Sequence, residues 1–145
     1  MPSDSSFPPI ASVLPHEPPM VLLDAIVELD EEQIAAKVTI TSDSMFLRDG
    51  RVRSIVCLEY MAQAVAAFAG IRRKSAGEAP KIGYIIGVPS MELEVDGFEI
   101  GDELQVHAKH VWGEGELGRF DCRVERGPKQ VAKASLSVYS GDIQT

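Results

Sequence analysis

The spacing of hydrophobic positions changes twice along the chain. In residues 33–41, Ile34, Ala36, Val38 and Ile40 alternate with Gln33, Lys37 and Thr39. A period of two predicts a strand with one buried face. Val21 to Leu29 is a second β-rich run. Residues 54–71, SIVCLEYMAQAVAAFAGI, break that pattern: they are Ala-rich, contain no proline, and end in Gly70 followed by Arg72, Arg73 and Lys74. Glycine near the end and cations in the last turn suit a helix C-terminus, and Ser54 is a candidate N-cap. This helix is apolar on almost every side, which predicts burial nearly all round. From Met91 onward the period returns to two. Met91, Leu93 and Val95 share a face, then Leu104, Val106, Ala108, His110 and Trp112, then Phe120, Cys122 and Val124, then Ala132, Ala134, Leu136 and Val138.

The connections are short and glycine-rich: Asp96-Gly97, Gly101-Asp102, Gly113-Glu114-Gly115 and Gly127-Pro128. Such turns join antiparallel neighbours. Residues 10–16 predict a helical turn ended at Leu14-Pro15, because the residue before proline disfavours the helical region. Residues 1–9, with three prolines and three serines, read as a mobile tail ahead of a single domain over 10–145. Two strands, one long buried helix and a run of strands predict an α+β fold, an antiparallel sheet curling around that helix.

Composition narrows the function. A length of 145 residues suits one domain. With 14 Lys+Arg against 22 Asp+Glu the net charge is −8, which argues against nucleic-acid binding. No apolar run is expected to reach the ~18–20 residues of a membrane span. The start, MPSDSSFPPI, lacks the basic-then-apolar pattern of a signal peptide. The expectation is therefore a cytoplasmic protein with Cys57 and Cys122 reduced. Two distant cysteines make no metal motif, and no cofactor or metal is expected. Residues 45–74 carry six basic residues (Arg48, Arg51, Arg53, Arg72, Arg73, Lys74) against Asp49 and Glu59, a local +4 that leaves −12 elsewhere. Such a patch is either solvated loop ends or a landing site for an acidic partner.

Glu59 is the only charged residue between Ser54 and Ile71. Ionising a carboxylate in apolar surroundings is costly, and a tuned carboxyl in a cleft is what acid–base chemistry uses. Gln63, four residues on, lies on the same helix face within hydrogen-bonding reach. His16 sits in the proline-stiffened Leu14-Pro15-His16-Glu17-Pro18-Pro19-Met20 and is the histidine best placed to partner Glu59. His110 falls on the apolar face of its strand, the setting of a hydrogen-bonded core histidine. His107 falls on the opposite, solvated face, so the two do not form a metal pair.

These residues carry a resemblance. L-P-H-E-P-P-M-V-L-L-D (14–24) is similar to the opening L-P-H-R-Y-P-F-L-L-V-D of the β-hydroxyacyl-acyl-carrier-protein dehydratases, and L-E-Y-M-A-Q-A (58–64) resembles their helix motif L-E-A-M-A-Q-A. The resemblance spans roughly residues 10–140 and puts Glu59 on the family's catalytic carboxylate. It implies a hotdog fold, an antiparallel sheet around one long central helix, usually dimeric. At the position of the family's catalytic histidine this chain has Met45, and the family's Pro-Gly at the helix start is Arg53-Ser54. The divergence looks similar to the dehydratase-like proteins of aryl polyene clusters.

The resemblance implies a hydro-lyase of fatty acid or polyketide biosynthesis, taking water from a 3-hydroxyacyl thioester on an acyl carrier protein. Glu59 and His16 are then the expected catalytic residues. Met45, Ser54, Ile55 and Gln63 are expected at the substrate, with the amides near Ser54 and Ile55 as donors to the thioester oxygen. Arg72, Arg73 and Lys74 are expected to meet the carrier protein. Two alternatives stand beside this: a hotdog acyl thioesterase, and a subunit of a homodimer or heterodimer active only with a histidine-bearing hotdog partner.

Overall fold

The computed structural model describes residues 7–16, 19–78 and 83–140. The period-two segments become strands of one sheet, and the apolar segment becomes the helix packed across it. In chain order the elements are β1 (Ala25–Leu29), β2 (Gln33–Thr39), β3 (Arg51–Arg53), α1 (Cys57–Ser75), β4 (Gly83–Leu93), β5 (Gly97–Glu99), β6 (Glu103–Glu114), β7 (Leu117–Arg126) and β8 (Lys129–Ser140). Six strands pair antiparallel in the order β1-β2-β6-β7-β8-β4, and β3 pairs with β5 in a small second sheet. The helix packs against β2, β6, β7 and β8. This is the hotdog arrangement.

The core lies between helix and sheet. Met61, Ala64 and Phe68 of α1 meet Ile34, Val106, Val124 and Leu136 from the sheet, all buried. At ~25 cal/mol per Å² of apolar surface removed from water, this contact is the main source of the fold's stability. The tight approach of the 10–16 segment explains Gly70. A Cβ built there would sit 2.1 Å from the carbonyl oxygen of Val13, so the helix has no room for a side chain at that point. The segment itself is a 3-10 turn, Ile10–Ser12, with Ile10, Val13 and Leu14 buried. Residues 1–6 of the expected tail lie outside the described residues, and Phe7 packs against the core.

Several expectations need correction. The helix opens with a 3-10 turn, Ser54–Val56, and Ser54 makes no side-chain cap; it is buried, and its amide donates to the carbonyl of Asp96 at 2.9 Å. Nor is the helix buried all round: Leu58, Glu59, Ala62, Ala66, Ala69 and Arg73 form a half-exposed row along it. The apolar stretch also runs longer than expected. Ser54–Ser75 has the length and composition of a membrane span, but over half of it is buried here, as the central helix of the sheet. Finally, Trp112 does not share a face with His110. The register slips between them, so that His110 opposes Phe120 while Trp112 opposes Arg119, and Trp112 is 49% exposed. One extra residue, Val111, turns everything after it to the other side of the sheet.

Candidate active site

His16 and Glu59 come together in one chain. Nε2 of His16 lies 3.7 Å from Oε1 of Glu59, with the two side chains 26% and 39% accessible. Glu59 is thus less enclosed than its apolar neighbours in sequence suggest. It lies in the first turn of α1, where the helix dipole favours negative charge. Nδ1 of His16 is buried without a hydrogen-bond partner among the described residues. Glu17 and Pro18, part of the expected rigid flank, lie outside the described residues.

Gln63 holds this pair in register. Its side chain is fully buried. Oε1 accepts from the amide of Leu22 at 2.9 Å. Nε2 donates to the carbonyl of Met20 at 2.6 Å and to Oε1 of Glu59 at 3.3 Å. One amide therefore ties the segment that follows His16 to the helix that carries Glu59. Expected at the substrate, Gln63 has both ends engaged within the chain and does not line the cavity described below.

The pair opens onto a cavity of about 830 Å³ that runs along the half-exposed row of the helix. Pro15, His16 and Glu59 stand at one end and Arg72, Arg73 and Glu78 at the other. Arg73 lies fourteen residues beyond Glu59 on the helix, about 21 Å at 1.5 Å per residue. Ala62, Ala66 and Ala69 floor it, and small side chains there are what keep it open. Ile85, Val138, Leu117 and Phe120 supply apolar wall. His110 lines the same cavity; its place on an apolar strand face was the signal, which pointed instead to a core residue.

Met45, Ser54 and Ile55 do not line this cavity. Met45 is 47% exposed and Ile55 54%. The 44–47 turn, closed by the Leu47 amide on the Ser44 carbonyl at 3.1 Å, packs Leu47 on the core and leaves Met45 and Phe46 outside. Met45, expected at the substrate, therefore lies off the cavity of its own chain. The Ser54 amide, spent on Asp96, is not free for a thioester oxygen. Of the three cations at the helix end, Arg73 pairs with Glu78 at 3.1 Å and Arg72 lies 5.2 Å over the ring of Phe68; both line the cavity, while Lys74 is exposed.

Other titratable groups stand apart. His107, expected in solvent, pairs with Glu125 at 3.0 Å and is only 12% accessible. Burial, with the Arg123 guanidinium, holds its imidazole below the usual range. Burial pushes both the Cys57 and Cys122 thiols up to about 12.

The family model for ApeP-like proteins, described as ApeP dehydratase, matches residues 8–145. The chain belongs to the ApeP-like dehydratase family. A chain of the dehydratase heterocomplex ApeI:P from Xenorhabdus doucetiae superposes with a TM-score of 0.89 at 27% identity, covering 94% of this chain and 93% of that one. The 3-hydroxyacyl-(acyl-carrier-protein) dehydratase FabZ of Bartonella quintana (strain Toulouse) is 28% identical over 134 residues, 88% of this chain and 84% of that protein. A hypothetical thioesterase from Streptococcus pneumoniae TIGR4, solved with coenzyme A, has a TM-score of 0.62 at 12% identity, covering 83% of this chain and 87% of that one, which is a likeness of fold alone. The fold and the family read from the two sequence motifs are those the comparisons show.

Proposed function

We propose that this ApeP-like protein removes water from a 3-hydroxyacyl thioester borne by an acyl carrier protein, with His16 and Glu59 as its acid–base pair. The observation that carries this reading is the 3.7 Å approach of the two side chains at the mouth of an apolar cavity. The proton lost from C2 and the hydroxyl lost from C3 sit on adjacent carbons, so two groups side by side suit them. Neutral His16 takes the C2 proton, and the electron pair forms the C2–C3 double bond. The C3–O bond breaks as Glu59, protonated, gives its proton to the departing hydroxyl, which leaves as water. The proton now on His16 returns to Glu59 across the short gap, and the pair is reset. A backbone amide at the positive end of the helix is the donor proposed for the thioester oxygen. The exposed Lys74 with Arg72 is the contact proposed for the carrier.

A second reading has its own support. Met45 stands at the family's histidine position yet faces away from the cavity, and β4 is an edge strand whose Ile85, Ile86 and Val88 are exposed. The neighbour from Xenorhabdus doucetiae is a heterocomplex. A second hotdog subunit pairing along β4 would cover those side chains and add its own histidine.

The deciding experiment offers the purified protein a 3-hydroxyacyl and a saturated acyl carrier thioester. Release of the 2-enoyl thioester, lost by about 10²-fold or more in Glu59→Gln and in His16→Gln, is the expected result. Free acid from both substrates would mark a thioesterase. Silence until a histidine-bearing hotdog subunit is added would establish the partner-dependent reading. Turnover in Glu59→Gln within twofold of the parent would remove Glu59 from the mechanism.

A further inference from the structure

Taking the acyl-thioester reading as its basis, we propose that His110 is a specificity-determining residue that hydrogen-bonds a polar group at the distal end of the acyl chain. Phe68 lies nine residues beyond Glu59 on α1, about 14 Å along the helix axis. At that depth the cavity wall carries the rings of Phe68, Phe120 and His110, with the Arg72 guanidinium 5.2 Å over the ring of Phe68. The His110 ring stacks on Phe68 with centroids 6.4 Å apart and 24° between planes. It meets Phe120 at 5.0 Å, and the two phenyl rings themselves touch edge to face at 5.8 Å. The imidazole lies against both phenyl rings.

Neither ring nitrogen of His110 has a hydrogen bond or ion pair to any of the described residues. Its polar neighbourhood is filled by glycine instead. A Cβ at Gly113 would come within 2.7 Å of Nε2, and one at Gly118 within 3.7 Å, and both glycines line the cavity. Side chains are thus kept out of the space around Nε2. A polar group in an apolar wall costs free energy unless something satisfies it. Water does so while the cavity is empty. An acyl chain filling the cavity displaces that water, and a methyl terminus leaves the imidazole unpaired. A terminal hydroxyl or carbonyl restores the bond, since imidazole offers one nitrogen as donor and the other as acceptor. Sites built to pair a ligand's polar group discriminate strongly against the analogue that lacks it.

The test measures binding, so it is independent of turnover. Lauroyl-pantetheine and ω-hydroxylauroyl-pantetheine, each with the thioester replaced by an inert amide, are titrated calorimetrically into the parent protein and into His110→Phe, which keeps the aromatic stack. The parent should bind the hydroxylated ligand at least about tenfold more tightly, the worth of one well-placed hydrogen bond in such a site. His110→Phe should lose that preference while holding the methyl-ended ligand as well as the parent or better. His110→Gln, which keeps a donor and an acceptor, should retain part of the preference and covers the case in which the phenyl variant unfolds. Equal affinity of the parent for both ligands, or a preference that survives in His110→Phe, would overturn the proposal. Binding of neither ligand would overturn the acyl cavity together with it, whereas binding without dehydration would leave this proposal standing and overturn only the catalytic reading.

Discussion

Replacing Gln63 by leucine should cost the protein both stability and geometry, and the size of each follows from three hydrogen bonds. The variant keeps nearly the same volume in a site with no solvent exposure, so no large cavity opens. What it loses is the acceptor for the Leu22 amide and the donor for the Met20 carbonyl. A buried polar group left unpaired costs about 1–3 kcal/mol. Met20 is 37% exposed and Leu22 half-buried, so water reaches part of the loss and the lower end of that range applies to each. Leucine also escapes the cost of burying an amide. The sum is about 1–3 kcal/mol, which for a domain of this size is a fall in Tm of roughly 2–12 °C, at about 2–4 °C per kcal/mol. Circular dichroism melts measure it directly.

Activity should fall further than stability alone predicts, measured at a temperature where the variant is fully folded. Freed from α1, the 20–22 segment no longer fixes the chain leading back to His16, and Glu59 loses the donor on its Oε1. A displacement near 1 Å at a reacting pair costs on the order of 10²-fold. Glu59→Gln provides the contrast, since it should lose activity with little change in Tm. A Gln63→Leu protein that melts within a degree of the parent and turns over at the parent's rate would refute the claim that this amide sets the His16–Glu59 geometry.

Gly70→Ala should be more damaging than its single methyl suggests, because the new Cβ would meet the Val13 carbonyl oxygen at 2.1 Å; a melt no lower than the parent's would show that the 10–16 segment is not seated as described. Cys57 and Cys122, 0% and 4% exposed with thiols held up to about 12 by burial, should resist a thiol reagent such as DTNB at neutral pH and react together on unfolding, so that rapid labelling of the native protein would contradict the packing. His107 is held below its ordinary value of 6.5 in the fold, so the unfolded chain takes up its proton first. Its contribution is complete above that pH and is lost as pH falls from about 6.5 through the lower folded value. Tm should therefore decline over that interval, and His107→Gln should flatten the decline; an equally steep fall in the variant would assign the pH dependence to other groups.

The legible parts of this molecule are those whose burial is regular. β7 and the first half of β6 bury alternate residues, β2 and β8 do so apart from the added burial of Ala35 and Val131, and α1 breaks the alternation over a length no strand of this sheet approaches. The short pair β3 and β5 escapes notice because three residues, of which only Val52 is buried in β3, show no period. The first half of β4 escapes because it is an edge strand with two register irregularities and a proline, so its exposed Ile85, Ile86 and Val88 follow no alternation. Trp112 is misplaced by a single bulged residue that spacing alone does not reveal.

The site divides along the same line. Glu59 and His16 stand out because each is chemically foreign to its surroundings, a carboxylate in an apolar helix and an imidazole among prolines. Their pairing is expected from the sequence; what fixes it is not legible, since it depends on Gln63 reaching residues more than forty positions earlier in the chain. Met45 shows the converse. Its spacing from Glu59 is the one at which the resemblance implies a catalytic histidine, but which side chain of the 44–47 turn faces inward is decided by Leu47, the one that packs on the core. With Leu47 anchored, Met45 points outward whatever residue occupies it. A histidine introduced by Met45→His would then also face away from this chain's cavity, unless a partner subunit closes over the turn. Recovery of activity in that variant therefore depends on whether a second hotdog subunit is present, and so separates the two readings of the site more sharply than changing Glu59 does.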